Sequence, residues 1–390
     1  MNRPQNPFRA TLGSTPPYLA GREDEIEDFE NALDDGPGSH ERISLITGLR
    51  GVGKTALLNA FESKARERSW WVISETATKG FTERIIEALY RMSDEGSETH
   101  KKKISGIGIP AVGSVQFENV VQYQPKVTLR SALTEFLERQ EERDRALNQS
   151  PVGLLITLDE LHYHRREEAI EFGTVIQHLV REDRNVAVAI AGIPQSIKPL
   201  LASDEGKNPV TFLRRANRID LGLIDGQDVR RALKDPIEDA GFTWSVEGLD
   251  AAVEACGGYP FLIQLIGQQC FREREGEVIT EGSVAKAAVV ARRKLGQLVH
   301  ESALADLSAV DRTFLAAMAV DDGPSSMSDI AQRMEANAQY VGNYRRRLID
   351  AELITSAGYG FVDFELPYMR DYLRKHVVVD ALSRRDDLKN

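Results

Sequence analysis

The sequence predicts an α/β fold with a parallel sheet, then an all-helical unit, then a small unit of three helices and a hairpin. Three observations predict it. Short apolar runs alternate with helical patterns up to residue 224. Helical spacing alone continues from 225 to about 305. Three more helical patterns and a turn at Gly358-Tyr359-Gly360 then follow.

Residues 1–19 carry Pro4, Pro7, Pro16 and Pro17 and are expected to form an extended arm. Ile26, Phe29 and Leu33 mark the first helix, and Asp34-Asp35-Gly36-Pro37-Gly38 ends it. Residues 42–47 read as a buried strand leading into a glycine-rich turn. Leu57, Leu58, Phe61 and Ala65 mark a helix, 70–75 a strand and 81–92 a helix. Residues 101–126 break the alternation with Gly106, Gly108, Pro110 and Gly113, and read as an inserted β-hairpin. After a further helix come an apolar strand at 152–158, a helix around Phe172 and Ile176, and strands at 186–191 and 218–224.

From 225 the strands stop, and helices are expected at 229–240, 246–256, 260–273 and 281–304. The last unit reads as helices at 309–320, 328–334 and 339–351 before the hairpin, the order of a winged helix. The expected division is an arm (1–19), an α/β domain (20–223) with the hairpin insertion (101–126), an all-helical unit (224–305), a winged helix (306–376) and a tail (377–390).

Composition bounds the function. With 49 Lys+Arg against 60 Asp+Glu, the net charge of −11 argues against a basic coat for sequence-blind nucleic-acid binding. Two cysteines, Cys256 and Cys270, exclude a disulfide framework. No apolar run reaches the roughly 18–20 residues of a membrane span, and the N-terminus lacks an apolar signal region. A cytoplasmic protein without a membrane partner is expected.

Gly48-Leu49-Arg50-Gly51-Val52-Gly53-Lys54-Thr55 has the form G-x-x-x-x-G-K-[ST] between a strand and a helix. Glycines let backbone N–H groups face phosphate oxygens, and the helix beginning near Ala56 points its positive end at the anion. Lys54 places a charge on the β- and γ-phosphates of ATP, and the Thr55 hydroxyl reaches Mg²⁺. Asp159 and Glu160 end the strand at 152–158. Ligands of such sheets bind beyond the carboxyl ends of strands. Asp159 is therefore expected to hold Mg²⁺, and Glu160 to polarise the water that attacks the γ-phosphate. Asp159-Glu160-Leu161-His162 also has the form of a DExH helicase box, but no second α/β unit follows to close on the nucleotide. His162 and His164 read as loop residues rather than metal ligands.

With these residues placed, the chain resembles the AAA+ ATPases, and within the wider P-loop group the origin-recognition-like and STAND-like branches. Ala20-Gly21-Arg22-Glu23-Asp24-Glu25 resembles a box that lies against the adenine in this family, which assigns Gly21 and Arg22 to the nucleotide. Gly257-Gly258-Tyr259-Pro260 resembles the lid motif whose proline, here Pro260, approaches the nucleotide. Residues 212–219 resemble a segment carrying an arginine near the γ-phosphate. That makes Arg215, or Arg214, the candidate arginine finger, a residue that often acts on a neighbouring subunit. The chain departs from the family at Gly192-Ile193-Pro194, where a polar sensor is usual, and in its lid helix, which has no arginine in its first turns. A slow switch fits this pattern better than a fast motor.

Asn343, Arg345 and Arg346 lie on the expected recognition helix and suit double-stranded DNA. Acids outnumber basic residues across 306–376, however, which weakens that reading. Three functions are carried forward. The first is a DNA-associated AAA+ switch that binds and hydrolyses ATP. The second is a STAND-like regulatory ATPase whose winged helix contacts protein. The third is a nucleotide-binding protein with little turnover. A homo-oligomer or a partner protein suits either of the first two.

Overall fold

The computed structural model describes residues 4–11, 13–98, 127–161, 166–193, 211–305 and 307–376. The expected hairpin at 101–126, the tail, His162 and His164 lie outside them. Five strands form one parallel sheet: β1 (Ile43–Gly48), β2 (Trp71–Thr76), β3 (Leu154–Leu161), β4 (Val186–Gly192) and β5 (Asn217–Leu221). Their order is β2-β3-β4-β1-β5. Register places Ile46 beside Ala191 and Ile219, and Thr76 beside Asp159. Every residue of β1 and β4 is buried, as strands covered on both faces require.

Helices α1 (Glu23–Asp35), α2 (Lys54–Glu67), α3 (Phe81–Glu98), α4 (Leu129–Ala146) and α5 (Arg166–Arg181) cover the sheet. One face is sealed by Phe29 stacked on Phe61, with centroids 4.0 Å apart. The other is sealed by Phe81, Leu133 and Phe172. The first of these cores continues into the lid helices α6 (Gly226–Asp239), α7 (Val246–Cys256), α8 (Pro260–Glu273) and α9 (Glu281–Leu295).

Three expectations shift. The strand expected at 218–224 stops at Leu221, because the Ile224 N–H turns to the Gly258 carbonyl (2.7 Å). The lid is not all-helical: β6 (Thr243–Trp244) and β7 (Val278–Ile279) pair in parallel. Two-residue strands are too short to show a sequence period. The helix expected over 281–304 is broken by a π-helical segment, Gly296–His300, before α10 (Glu301–Ala305). A Cβ at Gly296 would lie 2.7 Å from the Tyr372 ring, so this glycine lets the last unit press against the break.

That last unit holds α11 (Ala309–Ala319), β8 (Ser325–Ser326), α12 (Met327–Arg333), α13 (Ala338–Asp350), β9 (Ile354–Ser356) and β10 (Phe361–Phe364). Its antiparallel sheet runs β8-β10-β9. It shares the first core through Phe314, Leu315 and Leu348. The Tyr368 hydroxyl donates to the Ala255 carbonyl (2.8 Å), and Arg292 lies over the Tyr368 ring (4.3 Å).

His300 is 1% exposed, with Nε2 2.9 Å from the Pro367 carbonyl and its ring against Tyr372. Burial pushes its pKa down from 6.5 to about 4. The unfolded chain therefore takes up a proton between these values and the folded chain does not. Stability from this residue is full above pH 6.5 and falls as the pH drops towards 4, by about 3 kcal/mol in all. Denaturant titrations between pH 7 and 4.5 should show a smaller acid loss in His300→Phe than in wild type. Equal slopes would contradict this.

Candidate nucleotide site

Strand β1 delivers the chain to Gly48, and the loop to Gly53 turns it into α2. Gly53 caps α2 at φ +100° without a side-chain hydrogen bond, so no side chain competes with an anion for the first-turn N–H groups. Gly51 sits at φ +78° directly under Tyr259, whose hydroxyl donates to the Arg50 carbonyl and fills the space a Cβ would need. The loop is thus fastened to the lid one residue before Pro260. Arg50 adds a second tie, Nη1 to Ser302 Oγ at 2.9 Å, at the start of α10.

Lys54 Nζ donates to the carbonyls of Gly48 (2.5 Å) and Leu49 (2.7 Å). Burial lowers its pKa, while the carboxylates of Glu352, Asp159 and Glu160 oppose that shift. The ammonium is therefore held over the loop where a phosphate chain would lie.

Strand β3 carries the acids. Thr55 Oγ1 donates to Asp159 Oδ2 at 2.6 Å. Seven residues further along α2, Glu62 accepts from Thr157 Oγ1 at 2.6 Å, a buried bond. These two contacts fix α2 against β3. A register shift between Leu158 and Leu161 bulges the strand, and Glu160 takes φ +55° with its N–H on Asp159 Oδ1 (2.8 Å). Bulges beside active sites re-aim side chains, and a left-handed glutamate costs of order 1–3 kcal/mol. Here the bulge leaves Glu160 exposed and lining a cleft.

The cleft is about 720 Å³ and gathers most of the expected site: Arg50, Gly51, Gly53, Lys54, Thr55, Ala56, Asp159, Glu160 and Pro260. Gly48 and Leu49 do not line it but hold Lys54 through their carbonyls, and Val52 is buried in the core. Gly192 and Ile193 line the cleft at the end of β4.

Gly21 and Arg22 do not line it, which corrects their expected place. The Arg22 guanidinium is spent on the Gly21 (3.0 Å) and Gly222 (2.7 Å) carbonyls, tying the start of α1 to the end of β5. Pro16 and Leu19 line the cleft instead. Arg215 is also elsewhere. It precedes β5 and lines a second cleft of about 420 Å³ with Arg42 and Arg181, at the opposite ends of the strands. Arg215 is not among the residues that line the first cleft. On α13, Asn343 and Arg346 are exposed, and Arg345 donates to Ser356 Oγ (3.2 Å).

Residues 18–189 match the family model described as an AAA ATPase domain. Together with the loop, the acids and the strand order, that match identifies the domain over residues 18–189. The chain carries an AAA+ P-loop ATPase domain.

A second model, described as a domain of unknown function (DUF8462), matches residues 297–373, which begin at the π-helical segment of the AAA+ chain. A Walker-type ATPase of Pyrococcus abyssi shares the fold at 18% identity and TM-score 0.61, over 91% of this chain and 96% of that one. The Aeropyrum pernix ORC1 protein in complex with DNA gives 17% and 0.45, over 94% and 95%. The Thermotoga maritima RuvB Holliday junction branch migration motor gives 12% and 0.46, over 95% and 99%. None of the curated proteins matches.

The AAA+ site fits a nucleotide-borne Mg²⁺. The Thr55 hydroxyl and Asp159 carboxylate already meet, and among the described residues no three His, Cys, Asp or Glu side chains cluster to hold a metal alone. Mg²⁺ characteristically takes one or two carboxylates and completes its shell with phosphate and water.

Three residues that hold the site together were not singled out by the sequence. Tyr259 stood inside a recognised motif, but its neighbour Pro260 drew the assignment. Glu62 and Ser302 are bonded to partners 95 and 252 residues away, and helical spacing says nothing of such pairs.

Proposed function

We propose that this AAA+ ATPase is an ATP-gated switch whose C-terminal unit, a winged helix, engages double-stranded DNA. One observation supports it above others: a single cleft is lined by the phosphate loop, by Pro260 of the lid and by Leu298, Val299 and Ser302. That last segment includes His300, which is bonded to the winged helix at Pro367. Nucleotide bound there would touch the phosphate loop, the lid helix and the segment that is bonded to the winged helix, so its occupancy can bias how the three parts sit.

In this reading the N–H groups of residues 48–56 and the Lys54 ammonium hold the phosphates, and Thr55 and Asp159 hold Mg²⁺. The ion supplies neutralisation of phosphate charge. Glu160 accepts a hydrogen bond from the attacking water and draws off its proton. Arg215, at the far ends of the strands, would act only on the nucleotide of a second copy. Mixing Arg215→Ala with Lys54→Ala should then restore turnover that each lacks alone, and no restoration would remove Arg215 from the mechanism.

Asn343 and Arg346 are the exposed candidates for DNA contact, with the wing tip at Tyr359 wholly exposed. A second reading, a protein-contacting regulatory ATPase, is favoured by one detail. Arg347 is paired with the buried Asp311 (3.0 Å) and Arg345 is turned to Ser356, which leaves few cations for phosphate. ATP turnover with and without duplex DNA, in wild type and Arg346→Ala, separates the two.

A further inference from the structure

The N-terminal arm is part of the cleft wall. The Phe8 ring is 3% exposed and lies over Gly267 of α8, where any side chain would displace it. Asn6 Nδ2 donates to the Gln268 carbonyl (3.0 Å). The Arg9 N–H donates to Gln264 Oε1 (3.0 Å), on the cleft-facing side of the same helix. On the opposite wall, Asn59 of α2 donates to the Gly13 carbonyl (3.2 Å) and Thr15 Oγ1 (3.1 Å), and Gly13 lies against Thr55. The arm therefore spans the cleft from the lid helix to the helix that follows the phosphate loop.

Charge is distributed unevenly around that cleft. Its lining cations are Arg9, Arg50 and Lys54. Lys54 is engaged by loop carbonyls and Arg50 by Ser302. Helix α8 lends the wall only Pro260, Phe261 and Gln264, none of them charged. Arg9 lines the cleft on that side, exposed, and among the described residues no side chain pairs with its guanidinium.

We propose that Arg9, pinned to the lid helix by the arm, is a further nucleotide-binding residue that meets the phosphate chain from the lid side. This rests on the cleft being the ATP site. A planar guanidinium suits bidentate contact with phosphate oxygens, and its backbone is already fixed by Phe8 and Gln264. A lid wall that brings no cation to the cleft thereby obtains one from a segment far from it in sequence. Closure of the lid on ATP would then depend on the arm.

The test is titration of wild type, Arg9→Ala and Arg9→Lys with ATP and with adenosine, beside Lys54→Ala. Arg9→Ala should weaken ATP about ten- to a hundredfold, as loss of a charge-assisted hydrogen bond would. Adenosine affinity should stay unchanged, and Arg9→Lys should recover part of the ATP loss. ATP affinity equal to wild type in Arg9→Ala would overturn the inference. So would equal losses for ATP and adenosine, which would mean a wall residue and not a phosphate ligand. If wild type binds no ATP, the functional reading itself fails. If only Lys54→Ala loses ATP, Arg9 alone is misassigned.

Discussion

Glu160→Gln is expected to bind ATP as wild type does and to hydrolyse it about a hundred- to ten-thousandfold more slowly, the usual worth of a positioned general base. Glutamine has nearly the same volume and keeps the hydrogen-bonding shape of the side chain, but it cannot take a proton. The backbone that aims residue 160 is set by the bulge in β3 and by the bond from its N–H to Asp159, and neither involves the carboxylate. Asp159 keeps its contact with Thr55, so the proposed metal and phosphate contacts are left intact. Rapid-quench hydrolysis and nucleotide titration on the same preparation check this. Wild-type turnover in the variant would show that Glu160 is not the base. Negligible turnover in both proteins would favour nucleotide binding without catalysis.

Gly51→Ala is expected to cost about 2–5 kcal/mol of stability and at least tenfold in ATP affinity. Two effects add. An L-residue at φ +78° carries roughly 1–2 kcal/mol of backbone strain. The new Cβ would also run into the Tyr259 hydroxyl and lie 2.8 Å from its Cζ, and overpacking costs about 1–3 kcal/mol. Tyr259 has no room to yield: it is fully buried, and burial pushes its phenol pKa upward. The loop and the lid must therefore separate at the point where they clasp nucleotide. Tyr259→Phe, which removes only the hydroxyl, should cost about 1 kcal/mol. Denaturant midpoints and ATP titrations measure both, and a Gly51→Ala protein with wild-type stability and affinity would contradict the packing described.

The strands and the phosphate loop were legible because their signals are local. Residues 43–48 are mostly apolar, buried throughout, and end at the first glycine of the loop, and Asp159-Glu160 follows an apolar run of similar kind. Contacts between distant segments were not legible. Arg22 sits in a box whose text points to the nucleotide, yet its guanidinium is captured by a carbonyl 200 residues away. The arm reads as a proline-rich extended segment, and nothing in its local pattern announces that Phe8 packs on the lid helix. The π-helical break at Gly296 depends on Tyr372, which no helical period could announce. Arg215 is a further case: its sequence context suggests chemistry at the γ-phosphate, yet it sits at the opposite ends of the strands, away from the cleft that the phosphate loop lines.

The central claim is that ATP turnover in the cleft answers to what the C-terminal unit holds. It is tested most directly by steady-state hydrolysis with increasing duplex DNA at low salt, for wild type and Arg346→Ala. The account predicts several-fold stimulation of wild type, weakened by added salt as counterion release requires, and little stimulation of the variant. Wild-type turnover that is indifferent to DNA at low salt would contradict it.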